Sequence, residues 1–448
     1  MVLPMLRILR NRRFAALFTA QVVALLGTGL LTVALGLLAH DLAGARAGVV
    51  LGTAYTIKML AYVGLSPVAQ ALAARLPRKA VLVGADAARA AVALALPFVT
   101  EIWQVYTLIF MLQAASATFT PAFQAVIPDL LPDEADYTRA LSLSRLAYEL
   151  ENLLSPALAG LLLMVMAYHG LFAGTAAGFA LSGMLVAATA LPPVDPNARA
   201  RPFRERLTRG ARIYLATPRL RGLLALTLAA AAVGAFVLVN TVVLVRSGLG
   251  GDARDLAVTM AAFGAGSMIA ALALPPLLER LGDRPVMTGA AGLLALAALG
   301  AGGAMALGGL PGWPAVLVLW AVLGTLYAAV LTPSGRLLKR SAQPGDRPPV
   351  FAAQFALSHA CWLLTYPLAG WAGAALGLGA ALALSGGVAV AGVLAAALLW
   401  RGPDAAPLAH AHPELPAGHP HLRAHGGHGA HAHPVVIDDL HPAWPRHG

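Results

Sequence analysis

Twelve apolar runs, each about long enough for a membrane-crossing helix, constrain this chain more than any other feature. They centre near residues 27, 58, 89, 111, 154, 181, 234, 266, 297, 322, 362 and 388. A helix rises about 1.5 Å per residue, so about 20 apolar residues cross one hydrocarbon core. Of the 448 residues, 59% are hydrophobic and only 11% charged, and the mean hydropathy is +0.74. That balance excludes an ordinary water-soluble enzyme. The single cysteine, Cys361, leaves no internal disulfide and no thiolate-built zinc or iron–sulfur centre. The first apolar run, Phe14 to Ala39, is too long for the core of a signal peptide and reads as a retained first span. The pattern predicts an all-α membrane protein with twelve transmembrane helices, and hence a lipid bilayer as its first partner.

The net charge of +11 would suit nucleic acid if it were clustered on one face. With the N-terminus set in the cytoplasm, 25 of the 31 Lys and Arg fall in cytoplasmic segments, three (Arg46, Arg246, Arg254) outside, and three (Lys58, Arg89, Arg145) within spans. The charge is therefore topological, with no nucleic-acid partner implied and both termini on the cytoplasmic side. The densest basic cluster runs from Arg199 to Arg221 between spans 6 and 7. It divides the chain into an N-terminal six-helix bundle (1–194), a basic cytoplasmic linker (195–221), a C-terminal six-helix bundle (222–402) and a His-rich cytoplasmic tail (403–448), which composition reads as disordered.

The two halves look like copies. Arg75-Leu76-Pro77-Arg78-Lys79 after span 2 matches Arg280-Leu281-Gly282-Asp283-Arg284 after span 8. Thr120-Pro121 with Pro132 matches Thr332-Pro333 with Pro344, and Ser155-Pro156-Ala157-Leu158-Ala159-Gly160 matches Tyr366-Pro367-Leu368-Ala369-Gly370. Repeated halves commonly hold a substrate site between them near mid-membrane. On these residues the chain, over about residues 10 to 400, resembles the major facilitator superfamily of secondary transporters. That resemblance implies gating loops at Arg75, Arg78, Lys79, Asp283 and Arg284. The first copy has Gln70, Ala74 and Pro77 where the family pattern has Gly, Asp and Gly, whereas the second keeps Asp283 and Arg284. The segment around Pro156 and Gly160 looks like the family's antiporter motif. The run FAAQFALSHACWLLTYPLAG from Phe351 to Gly370, together with the tail, is similar to bacterial nickel-resistance efflux permeases of this superfamily.

Ionisable residues within spans are costly and hence candidates for proton or substrate handling. Asp86 lies three residues before Arg89, and Arg145 four before Glu149, so each pair shares a helix face and could equally be an internal charge pair. Glu151 has no basic residue three or four positions away, and Asn152 and Ser155 extend a polar strip beside it. Span 11 carries His359 and Cys361, and the span 5 to span 11 offset of 210 maps Glu149 onto His359 and Glu151 onto Cys361. Imidazole, thiol and carboxylate at one depth could exchange a divalent cation for protons. Alternatively His359 bonds a helix carbonyl and Cys361 packs as a small apolar residue.

The tail holds ten of the thirteen histidines: His410, His412, His419, His421, His425, His428, His431, His433, His441 and His447. Neutral imidazoles at short spacing, with no thiolate, suit Ni, Zn, Co or Cu(II) more than Cu(I). The chain contains no Gly-x-x-x-x-Gly-Lys-Ser/Thr phosphate loop and no nucleophile–base–oxyanion arrangement, so the reading is a transporter, not an enzyme. The function expected is proton-coupled efflux of a divalent metal, nickel foremost, by a monomer without a resident cofactor, the metal ion and protons being its small partners. The alternatives are a drug or siderophore-type exporter and a membrane metal sensor or buffer.

Overall fold

The computed structural model describes residues 7–43, 47–73, 76–192 and 202–400, and beyond them 408–411, 415–416, 419–424, 431–433 and 435–444. Twelve long helices stand among these residues: α1 Arg12–Ala43, α2 Ala47–Ala73, α3 Arg78–Ala95, α4 Ile102–Leu130, α5 Glu134–Leu163 and α6 His169–Ala188 in the first half. An amphipathic linker helix, α7 Phe203–Ala216, leads into α8 Pro218–Val242, α9 Ala253–Leu281, α10 Asp283–Gly308 and α11 Trp313–Leu331. A short α12 Ser334–Ser341 precedes α13 Arg347–Leu376 and α14 Leu378–Leu399. Each predicted span centre falls inside one of the twelve. α8 starts at Pro218, four residues before the boundary predicted from the arginine cluster, because Pro at the first helical position lacks only an N–H that would be unbonded there.

Helix ends are set by local chemistry. The Glu101 and Gln104 side chains cap α4 reciprocally, Asp133 caps α5 by accepting from the Asp136 N–H at 2.9 Å, and Asp252 with Asp255 caps α9. Gly282 (φ 78°) turns α9 directly into α10, and Gly377 (φ 83°) turns α13 into α14, in a backbone region that other residues rarely adopt. Pro67, Pro121, Pro275 and Pro367 lie inside helices, which packed neighbours tolerate in a membrane.

The halves repeat one packing plan. α1 lies on α6, α3 on α6 and α4, and α2 on α4; correspondingly α8 lies on α14, α10 on α14 and α11, and α9 on α11. The contacts between halves are related in the same way, α2 against α13 and α5 against α9. Glycine permits the closest approaches: a β-carbon at Gly266 of α9 would fall 1.9 Å from the Ala321 carbonyl oxygen, and one at Gly324 of α11 would fall 1.9 Å from that of Phe263. Nine spans among the described residues are apolar enough to cross a membrane by length and composition, so the protein is a multi-pass membrane protein. α2, α5 and α13 carry Lys58, Glu149 and His359 at the contacts between the halves.

The linker helix and part of the tail belong to the C-terminal core. Ile213 and Tyr214 of α7 and Ile437 of the tail are fully buried in the same apolar cluster as Leu223, Leu294 and Trp320. Among the described tail residues, Val435 and Ile437 supply the apolar anchors that His, Pro and Gly lack. Gly324→Val should lower the thermal stability of the detergent-solubilised protein by about 1–3 kcal/mol or more through overpacking. Gly289→Ala, which meets nothing within 4 Å, should leave the melting temperature unchanged.

Candidate functional site at the seam between the halves

Glu149 lies fifteen residues into the thirty-residue α5, halfway along it and about 22 Å from its start. The Arg145 guanidinium, one turn earlier, reaches its Oε1 at 2.5 Å, as the i,i+4 spacing predicts. Sequence spacing could not supply the third member. Ser267 of α9 donates to Glu149 Oε1 at 2.7 Å and accepts from Arg145 Nε and Nη2 at 3.0 and 2.9 Å. The same guanidinium lies 5.1 Å over the ring of Tyr327 on α11. One charge pair of the first half is thus satisfied by a hydroxyl and an aromatic face of the second.

On the opposite diagonal, Tyr62 of α2 packs edge-on against His359 of α13 at 4.7 Å and against Phe355 at 4.8 Å between ring centroids. His359 Nδ1 lies 2.7 Å from the Phe355 carbonyl oxygen, so Nδ1 carries the proton and Nε2 is the accepting nitrogen. Lys58, one turn before Tyr62, has its ammonium 5.6 Å over the Tyr62 ring and interacts electrostatically with Glu151. Lys58, Tyr62, Ser267 and Tyr327 are the residues that motif reading missed. The signal for Lys58 was present, as a lone base in the second span. A β-carbon on Gly29 of α1 would stand 2.0 Å from Ser155 Oγ and 3.0 Å from Glu151 Oε1, so α1 needs glycine there chiefly to admit Ser155 of the polar strip. Aromatic side chains complete the seam, with Trp362 packed between Tyr327 (6.3 Å) and Tyr366 (5.1 Å).

The other predicted residues separate into different places. Asp86 and Arg89 form an ion pair buried inside the first half, where Ser182 donates to Asp86 at 2.8 Å and the guanidinium stacks on Phe119 and Phe179 at 4.1 and 4.6 Å. Cys361 is buried, and two residues along a helix turn it about 200° from His359. Glu149, Glu151, His359 and Cys361 therefore make no shared ligand set. The group of three ligand atoms found close enough for one metal, among the described residues, is instead His421, His431 and His433. Arg75, His412, His425 and His428 lie outside the described residues, as do the side chains of Asn152 and His410.

At the end of the bundle that carries α7, here the linker face, ion pairs join the halves. Asp129, at the end of α4, takes Arg78 at 2.6 Å and Arg347 of α13. Asp283 takes Arg336 at 2.7 Å and Arg340 at 2.6 Å, and the same arginines of α12 reach Glu134 of α5 at 3.3 and 2.6 Å. Lys339 Nζ donates to the Pro132 carbonyl at 2.7 Å, and Lys79 Nζ to that of Ala187 at 2.8 Å. Arg284 sits one residue into α10 beside Asp283. Arg209 of α7 closes this face by pairing with Asp346 at 2.6 Å. A cavity of about 200 Å³ lies just inside, lined chiefly by apolar residues such as Val63, Pro67, Leu207, Pro349 and Ala356.

Two six-helix repeats meeting around a polar seam, closed at one end by ion pairs, define a membrane transporter. A model of the Major Facilitator Superfamily matches residues 17–302 and 223–436, and the chain belongs to that family. It is 31% identical over 122 residues to the uncharacterized MFS-type transporter YfiS of Bacillus subtilis, covering 27% of this chain and 29% of that protein. It is 28% identical over 197 residues to macrolide efflux protein A of Streptococcus pyogenes, covering 41% and 48%. The chain thus spans less than half the length of these curated relatives. Among solved structures, the human organic anion transporter MFSD10 (TETRAN) is 15% identical with a TM-score of 0.68, covering 86% of this chain and 99% of that one. A bacterial homologue of the iron transporter ferroportin, in an outward-facing state, is 14% identical with a TM-score of 0.69, covering 87% and 98%. Both likenesses are of fold.

Ser66 of α2 is fully buried and donates to the Ala352 carbonyl of α13 at 3.5 Å, so it reports whether the linker face is closed. In a Ser66→Cys, Cys361→Ala background, Asp129→Asn should speed thiol labelling about tenfold or more, since a charge-assisted hydrogen bond contributes about 1.5–3 kcal/mol. An unchanged rate would show that Asp129 does not hold the face shut. Asp86→Asn should instead cost about 3–5 kcal/mol of thermal stability by stranding Arg89, without altering that labelling rate.

Proposed function

We propose that this transporter exports a bulky amphipathic organic compound in exchange for protons, with Glu149 and Glu151 as the proton-carrying groups. The observation that carries the reading is the Arg145–Glu149–Ser267 link, which crosses the seam beside Tyr327 and Trp362. A carboxylate that takes up a proton loses its attraction to the guanidinium, and the link between α5 and α9 then loosens. Proton binding and movement of the halves are thereby coupled at one residue. Lys58 lies within electrostatic range of Glu151. Asp129, Glu134, Asp283 and their arginines act as the gate, and the linker face, carrying Arg78, Lys79, Arg204 and Arg206, is the cytoplasmic one by the positive-inside rule. The membrane is then the bacterial inner membrane.

The seam's composition favours an organic substrate over a bare metal ion. Arg145 and Lys58 engage the carboxylates of Glu149 and Glu151 that a divalent cation would need, and His359 and Cys361 diverge. Tyr62, Tyr327, Trp362 and Tyr366 offer apolar faces with polar tips, suited to an amphipathic molecule. The relative named for macrolide efflux agrees with this class. Efflux of a divalent metal, nickel foremost, is the second reading. It draws on the His-rich tail, whose His421, His431 and His433 form a ligand cluster outside the seam.

Expression in a sensitive strain should raise tolerance to macrolide-type compounds and lower their cell-associated amount, with nickel and cobalt tolerance unchanged. A protonophore should abolish the effect. Glu149→Gln should remove proton-driven export while the folded protein persists in the membrane. Raised nickel tolerance without drug tolerance, lost in His359→Ala, would replace this reading with the metal one.

A further inference from the structure

The tail contains a built cluster that the transport reading does not use. β1 Leu408–His410 pairs antiparallel with β2 His431–His433, with His410 opposite His431. Alternation along a strand puts His431 and His433 on one face, and both are buried while Ala432 is exposed. His421, from the short helix α15 Pro420–Ala424, enters between them. Its Nε2 lies 3.1 Å from Nε2 of His431 and 3.3 Å from Nε2 of His433. Imidazole nitrogens about 2.0–2.1 Å from a tetrahedral ion stand about 3.3–3.4 Å apart. The two distances from His421 are close to the spacing such an ion imposes, and all three ligand nitrogens lie within 4.8 Å of one another.

A fourth imidazole adjoins them. The His441 ring lies 5.2 Å from those of both His421 and His433, and its Nδ1 lies 2.9 Å from Asp438 Oδ1. Asp438 Oδ1 also accepts from the backbone N–H groups of Leu440 and His441 at 2.9 and 2.7 Å, which fixes the carboxylate. A carboxylate behind Nδ1 orients Nε2 for a metal, as it does behind many ligating histidines. His419, by contrast, is engaged as a cap, its Nδ1 accepting from the His421 N–H at 3.3 Å.

The same carboxylate ties the cluster to the gate. Asp438 Oδ2 accepts from Gln343, in the turn between α12 and α13, at 2.7 Å. The next residue, Asp439, pairs at 2.9 Å with Arg209, which also holds Asp346 of that turn. Ile437 is buried in the C-terminal core, and Arg219 lies 5.7 Å over the Trp444 ring. Residues 435–444 therefore bind the linker helix and the turn that joins the gate helix α12 to α13.

We propose that His421, His431, His433 and His441 bind one borderline divalent ion of the Zn²⁺, Ni²⁺ or Co²⁺ class, and that its binding latches the tail onto the linker-face gate. The ion would cross-link β2 and α15 to residues 435–444, which already hold α7 and the Gln343–Asp346 turn, and so fix the tail as a strap across that face. This site lies outside the seam and does not depend on what the seam transports.

The test uses full-length detergent-solubilised protein stripped with a chelator and titrated calorimetrically with Zn²⁺ or Ni²⁺ alone. One tight ion per chain is expected. His421→Ala with His433→Ala should abolish it, whereas His410→Ala, His412→Ala, His425→Ala and His428→Ala together should retain it. Asp438→Asn should weaken it about 10–100-fold. Retention in the double variant, or equal loss in the quadruple variant, would overturn the assigned site and leave only binding by composition. For the latch, Zn²⁺ should slow hydrogen exchange in residues 435–444 and in α7, and slow Ser66→Cys labelling, in the wild-type tail but not in the double variant. Tight binding without any change in exchange or labelling would overturn the latch.

Discussion

A charge cannot be left alone in hydrocarbon, and the seam between the two halves is built on that rule. Arg145 and Glu149 neutralise each other along one helix, but a single ion pair leaves further N–H donors and carboxylate lone pairs to satisfy. Ser267 and the Tyr327 face meet that need from the other half. The first half is therefore electrostatically complete only when the second is against it. Asp86 and Arg89 obey the same rule with the opposite result, because Ser182, Phe119 and Phe179 all come from their own half. Chemically similar pairs thus differ in role by the origin of their third partner.

The linker face applies the same constraint in water-accessible surroundings. Asp129 and Glu134 of the first half each receive arginines from the second, and Asp283 holds Arg336 and Arg340 in place to make that contact. The family pattern's acidic residue is missing from the first repeat but present as Asp283 in the second. The closure is accordingly asymmetric, with the second half supplying most of the cations. Gly210 lets α7 sit directly on this junction, since a β-carbon there would fall 2.0 Å from the Pro349 carbonyl oxygen. A covalent linker between halves becomes a structural part of the linker face.

The helices that carry the site place polar residues inside otherwise apolar runs. α2, α5 and α13 are diluted by Lys58, by Arg145, Glu149 and Glu151, and by Ser358 and His359. Each polar residue lowers the apolar signal that marks a span and raises the case for a site. Span positions and the repeat were nonetheless legible, because periodic apolar length and paired Pro and Gly signatures are local properties of the chain. The tail's packing was not, because two apolar residues, Val435 and Ile437, sufficed to anchor a segment whose bulk composition is that of a solvated one.

The sequence by itself determined twelve helices, two repeats, and the i,i+3 and i,i+4 charge pairs, since helix rise and pitch fix those relations whatever surrounds them. Tertiary structure alone decided which pair meets the seam, that Lys58 answers Glu151, and that Ser267 closes the triad, since each depends on where helices far apart in sequence cross. Helix pitch alone separates His359 from Cys361, whereas the fold of the tail brings together His421, His431 and His433. One residue along a helix rotates a side chain by about 100°, whereas two along a strand return it to the same face. The offset that equated spans 5 and 11 could match depth but not direction, and direction is what a ligand set requires.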